Sequence, residues 1–238
     1  MTSNGALEGA TTGPIGLLGG TFDPIHVAHL QLARTAIAHL GLAQVRFLPA
    51  GQPWQKPDVS PAAARADMVE LALHGESRMS IDRREIDRPG PTYTIDTLRE
   101  LRAELGADVA LVLLLGDDQL QRFDSWREWR AIIELTHLGV AARPGDAAMA
   151  DAGHGELADW LRAHRAPPGS APRAAGGSIF RIPMAPIDCS ATEIRHLVRA
   201  AATPQELDRL ARLLPAAVLD YIRLHRLYGT DPAPASPG

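Results

Sequence analysis

Apolar residues along this chain follow two alternating rhythms. Short apolar runs predict strands at Ile15–Leu18, Val45–Pro49, Met79–Ile81, Val109–Leu115, His137–Ala141 and Ser178–Ile182. Longer stretches place apolar residues at every third or fourth position. They predict helices near His29–Leu40, Pro61–His74, Thr94–Leu105, Ser125–Glu134 and Gly155–Ala163. Pro61 suits a first helical turn, where its missing N–H is not needed. Strands that alternate with helices argue for a parallel α/β sheet. Val109–Leu115 is almost wholly apolar, as a central strand covered on both faces must be.

Composition narrows the classes further. The 238 residues suffice for one large domain or two small ones, and 45% hydrophobic content is ordinary for a globular chain. A net charge of −4 gives no general attraction to nucleic acid or acidic membranes, and no basic stripe is present. A single cysteine, Cys189, excludes an intramolecular disulfide and fits a reducing, cytoplasmic setting. No apolar run reaches the ~18 residues that a membrane span requires. Met1–Thr12 is small and polar without a signal pattern, so residues 1–13 read as a loose tail and 229–238 as another. Ala166–Gly177, rich in proline, glycine and alanine, reads as a flexible connector, either a domain boundary or a surface insertion.

The chemistry concentrates in Gly19-Gly20-Thr21-Phe22-Asp23-Pro24-Ile25-His26-Val27-Ala28-His29. The order strand, glycine turn, helix start can hold phosphate. Paired glycines let the backbone approach an anion, and a helix N-terminus offers free N–H groups with roughly +0.5 of a charge. His26 and His29 can add hydrogen bonds or full charge. They can also be structural, or ligate a metal, although no third ligand stands at a telling spacing. Neither G-x-G-x-x-G nor a P-loop occurs.

A second phosphate candidate is Ser190-Ala-Thr-Glu193, a capping box in which Ser190 caps the helix and Glu193 reaches back. Alone it is only a well-capped helix. Thr192 and Arg195 in its first turns supply a hydroxyl and a guanidinium suited to phosphate. Lys56, in a proline-fixed loop after the second strand, is a candidate for a second anion. Thr92 or Thr94 can cap the following helix. An acidic residue in Gly116-Asp117-Asp118, after the most apolar strand, can accept hydrogen bonds from ribose hydroxyls. Trp126 and Trp129, in amphipathic sequence, suit a core.

Gly-Gly-Thr-Phe-Asp-Pro-Ile-His-x-x-His resembles the nucleotidyltransferases marked by H-x-G-H, and more closely the bacterial nicotinate-nucleotide adenylyltransferases. Ser-Ala-Thr-x-Ile-Arg resembles their C-terminal signature, and five separated motifs stand in the family's order between Ile15 and Tyr228. The resemblance implies a Rossmann-like doubly wound parallel sheet with a small helical C-terminal part, one domain over 14–228, with 166–177 as an insertion. It implies transfer of the adenylyl group of ATP to nicotinate mononucleotide, with Mg2+ bound through the ATP phosphates and neither nucleic acid nor membrane as partner. Carried over residue by residue, it assigns Gly19, Gly20, Thr21, Phe22, His26, His29, Arg143, Ser190, Thr192 and Arg195 to ATP. His26, His29 and Arg195 are its catalytic candidates. Lys56, Thr92, Tyr93, Thr94, Gly116, Asp118, Trp126 and Arg127 fall to the acceptor, with Trp126 over the pyridine ring. Two departures stand out: Ala28 replaces the family's usual glycine and Cys189 its usual isoleucine. Nicotinamide mononucleotide or another phosphorylated acceptor, and a non-catalytic nucleotide sensor, are the alternatives.

Overall fold

The computed structural model describes residues 13–53, 59–142, 155–185, 187–200 and 203–229. Six strands form one sheet: β1 (Ile15–Gly20), β2 (Gln44–Pro49), β3 (Met79–Ile81), β4 (Leu111–Leu115), β5 (His137–Ala142) and β6 (Ile179–Pro183). Every pairing is parallel, in the order β3-β2-β1-β4-β5-β6. That is the expected Rossmann-like doubly wound sheet, whose order reverses between β1 and β4.

The helices are α1 (Val27–Leu40), α2 (Ala62–Ala72), α3 (Arg84–Asp87), α4 (Thr94–Leu105), α5 (Asp117–Leu120), α6 (Trp129–Leu135), α7 (Glu156–Ala163), α8 (Ala191–Ala200), α9 (Pro204–Leu213) and α10 (Ala216–Leu224). Single 3-10 turns cover Phe123–Ser125 and Leu227–Gly229. Two cores form, one on each face. Alternation along β4 divides its side chains between them: Val112 and Leu114 pack with α1, α2 and the C-terminal helices, while Leu111, Leu113 and Leu115 pack with α4 and α6. Full burial of each such side chain contributes roughly 1.5–3 kcal/mol, which is why this run needed no polar positions.

Three expectations required correction. The first strand does not stop at Leu18: Gly19 and Gly20 stay in register with Leu48 and Pro49, and the reversal falls on Thr21–His26. The helix expected over Ser125–Glu134 breaks, because Glu128 takes a left-handed φ of 50° before α6 begins. Neither Thr92 nor Thr94 caps α4; Tyr93 is the N-cap residue and its side chain makes no capping bond.

Segment 166–177 is tied down at the end of the sheet where β4 and β5 begin. Ala175 carbonyl accepts from Leu111 N (3.3 Å) and an Arg102 Nη (2.7 Å), and Ala174 carbonyl meets His137 Nε2 (2.8 Å). A Cβ on Gly176 would stand 2.7 Å from Thr136 N, so this stretch is small because it lies against backbone. Of the expected tails, only Gly13 and Gly229 are described. Among the described residues no helix is long and apolar enough to cross a membrane.

Candidate active site

A cleft of about 740 Å³ opens over the carboxyl ends of β1, β2 and β4, at the reversal of strand order. Open α/β sheets bind ligands at such a point. It is lined by Gly19, Gly20, Thr21, Phe22, His26 and His29 at one end, with Ser190 and Arg195 beside them. Thr92, Tyr93, Thr94, Gly116, Asp118, Trp126 and Arg127 line the other end. Thr192 reaches the site through Arg195, whose Nη2 donates to its hydroxyl (3.3 Å). Lys56 and Arg143 lie outside the described residues.

At the first end the glycines act differently from each other. A Cβ on Gly19 would meet nothing within 4 Å, so this backbone stays open to the cleft. A Cβ on Gly20 would stand 2.9 Å from the Phe22 ring. Phe22 turns back beneath the strand with a left-handed φ of 51° and sets its ring edge-on to His29, centroids 5.0 Å apart.

His26 is the N-cap residue of α1, and its backbone N–H donates to His29 Nδ1 (3.3 Å). That bond assigns the proton of a neutral His29 ring to Nε2, leaving an N–H donor. The two imidazoles stack at 3.8 Å. Burial lowers the pKa of His26 from 6.5 to about 4, so the ligand-free ring is neutral at pH 7. It brings a hydrogen bond rather than the full charge considered above. Its Nδ1 is buried without a partner, an arrangement that costs free energy until a ligand completes it.

Arg195 joins the two phosphate candidates directly. Its Nη1 donates to the carbonyl of Asp23, inside the turn between Phe22 and His26 (2.7 Å). Half of the expected capping box is present: Ser190 Oγ accepts from Glu193 N (3.2 Å). The other half is replaced, since the Glu193 carboxylate pairs with Arg209 of α9 instead of reaching back.

At the other end Thr92 is buried, while Asp118 and Arg127 are exposed. Gly116 closes β4, and a Cβ there would lie 2.5 Å from Asp118 Oδ1, so glycine admits that carboxylate. Asp117 turns to Gln121 (2.8 Å). Trp126 is half-buried against Phe123 with its cleft side open, whereas Trp129 is buried in the aromatic cluster with Phe123 and Trp160. The Arg127 guanidinium sits 4.9 Å from the centre of the Tyr93 ring.

The chain matches the model of the Cytidylyltransferase-like family over residues 17–197. It is 46% identical to a probable nicotinate-nucleotide adenylyltransferase of Bordetella petrii, over 90% of this chain and 98% of that protein. It is 44% identical to one of Chromobacterium violaceum, again over 90% and 98%. The chain belongs to the nicotinate-nucleotide adenylyltransferase family. Its fold is shared by the Plasmodium falciparum nicotinic acid mononucleotide adenylyltransferase complexed with NaAD, with a TM-score of 0.69 at 17% identity, covering 92% of this chain and 98% of that one.

Two departures from the family pattern, Ala28 and Cys189, meet in the cleft wall. Burial raises the Cys189 thiol to a pKa of about 11, so it stays protonated and packs as a small apolar group.

Several polar residues that frame the site escaped the sequence reading. Arg65 of α2 is fully buried, and its guanidinium donates to the carbonyls of Ser60 (2.9 Å), Thr21 (2.7 Å) and Gly51 (2.9 Å). It thus staples the turn at Thr21 to the loop after β2. Glu85 lines the cleft with a buried carboxylate whose pKa burial raises, and Thr97 Oγ1 donates to it (2.7 Å). An arginine on an alanine-rich helix carries no local mark of burial. Only the three carbonyls it meets reveal its task.

Proposed function

We propose that this enzyme, a nucleotidyltransferase, moves the adenylyl group of ATP to nicotinate mononucleotide, giving nicotinate adenine dinucleotide and pyrophosphate in NAD biosynthesis. The observation that carries this reading is the Arg195–Asp23 bond (2.7 Å), which joins two phosphate-facing helix starts on one rim of a cleft whose other rim bears Asp118 and Trp126. Family membership supports the same reaction.

The nucleophile is a phosphate oxygen of the mononucleotide and needs no base. It forms a bond to the α-phosphorus, the bond from that phosphorus to the bridging oxygen breaks, and pyrophosphate leaves with the electron pair. Two polyanions must be held together while charge grows on the leaving group, so placement and fixed donors supply the catalysis. His29 Nε2–H, His26 and Arg195 serve the α-phosphate and the leaving group. Ser190 and Thr192 hold the outer phosphates, and the Gly19–Phe22 backbone lies against the nucleotide. Asp118 holds ribose, the pyridine ring stacks on Trp126, and Thr92–Thr94 with Arg127 meet its carboxylate through backbone amides. Lys56 and Arg143 would take the acceptor phosphate and the triphosphate.

Among the described residues no group of three His, Cys, Asp or Glu could hold a metal ion, and the Asp23 carboxylate already accepts from Tyr228 and Ser60. This donor set fits Mg2+ carried in on the triphosphate, with phosphate and water oxygens as its ligands. When bound, the ion neutralises charge on the departing pyrophosphate.

Purified protein given ATP, Mg2+ and nicotinate mononucleotide should release pyrophosphate in step with dinucleotide. Folded protein that releases none contradicts the proposal. Nicotinamide mononucleotide as competitor reports the acceptor preference in the same assay.

A further inference from the structure

We infer that Tyr228 is a positioning residue for this reaction, its hydroxyl latching the C-terminal turn onto Asp23 and so fixing the phosphate end of the cleft. The inference rests on the adenylyl-transfer reading above. Tyr228 is not among the residues that line the cleft, and the contact that ties its hydroxyl to the phosphate end is with Asp23. Tyr228 Oη donates to Asp23 Oδ1 (2.6 Å). Asp23 is only 4% exposed, and each of its oxygens is engaged: Oδ2 accepts from Ser60 N (3.2 Å), and its carbonyl accepts from Arg195 (2.7 Å). Three residues later the chain reaches His26 and enters α1. A shift of Asp23 therefore moves both the guanidinium of Arg195 and the start of the histidine helix.

The latch is itself held. Tyr228 carbonyl accepts from Arg199 Nε (3.1 Å), on the same helix that carries Thr192 and Arg195. The turn is strained. Arg226 has a φ of 52° and Tyr228 one of 62°, left-handed values that side chains disfavour and that persist only where surrounding contacts impose them. The strained turn carries the ring inward against the core beside Met68. Burial and the neighbouring carboxylate both raise the phenol pKa, so the hydroxyl remains a donor across the working range. One hydrogen bond thus joins the C-terminal helical part to a turn 205 residues earlier.

Tyr228→Phe keeps the ring and removes the hydroxyl that donates to Asp23. We expect its kcat to fall at least about tenfold, the scale on which small misplacements slow catalysis. KM for nicotinate mononucleotide should stay within about twofold, and the melting midpoint within a few degrees. Affinity for α,β-methylene-ATP, measured by calorimetry, should fall at least about fivefold. Asp23→Asn should behave alike, and the double variant should be no worse than the poorer single one, as residues acting through one bond require. Wild-type kcat and analogue affinity in Tyr228→Phe overturn the inference. So does a loss that appears only with unfolding, or one that multiplies in the double variant. Wild-type protein that binds the analogue yet transfers nothing from ATP refutes the proposed function, while the Tyr228→Phe titration still decides the latch.

Discussion

At one end of the cleft Asp23, His26 and Arg65 are buried and held to neighbouring backbone; at the other Thr92 is buried, but Asp118 and Arg127 stand in solvent. The Arg65 and Arg195 guanidinium groups converge on backbone carbonyls at the first end. Asp118 and Arg127 are exposed and Trp126 is half-buried. Arg127 pairs loosely with Asp96 (3.7 Å). Buried polar networks, once satisfied, are rigid and resist water, which strengthens their electrostatics. Exposed groups near an open pocket contribute fit and selectivity. The difference teaches that the phosphate end should govern turnover and the acceptor end should govern which mononucleotide is held.

Substitutions can break that division. The largest effect is expected from His29→Ala. Loss of one fixed donor to the developing charge should lower kcat by about 10²–10³-fold, with KM for the acceptor little changed, as steady-state kinetics would record. A near-normal kcat removes His29 from the chemistry. Trp126→Ala should do the reverse. A lost ring stack of about 1–3 kcal/mol raises KM for nicotinate mononucleotide roughly 5- to 150-fold. An effect confined to ATP would place the pyridine elsewhere.

A smaller effect separates the ends by pH. Burial depresses the folded-state pKa of His26 to about 4, below its usual 6.5. Between those values the unfolded chain binds more protons than the folded one, so stability rises with pH and is lost on acidification from 6.5 towards 4. His137, also depressed by burial, acts in the same sense, so the comparison must be differential. His26→Asn should remove on the order of 3 kcal/mol of that dependence, read as urea midpoints across the window; parallel curves for both proteins would contradict it. The smallest change is expected from Arg127→Ala. An exposed cation over an aromatic ring contributes about 0.5–1 kcal/mol, so acceptor KM should rise no more than about fivefold. A larger rise would give that side chain, rather than its backbone, a grip on the acceptor.

The same contrast governs what could be read from the sequence. Strand β4 and helix α4 were legible because their apolar spacing is complete within a few residues, and the residues gathered at one end of the cleft because two helix starts carry their own motifs. Trp129 was rightly placed in the core by its pattern. Arg65, Glu85 and Tyr228 were not legible, since each owes its role to partners distant in the chain: Thr21 for Arg65, Thr97 for Glu85 and Asp23 for Tyr228. The firm hold on segment 166–177 was likewise hidden. Its proline and glycine content describes freedom, but the groups that capture it belong to Arg102 and His137. The break at Glu128 needed a left-handed residue that composition does not announce.

The most direct measurement follows a labelled phosphorus. ATP labelled at the α-phosphate, incubated with the protein, Mg2+ and nicotinate mononucleotide, should place all transferred label in the dinucleotide and none in pyrophosphate. Label in pyrophosphate, or label that stays in ATP with folded protein present, would contradict adenylyl transfer at this cleft.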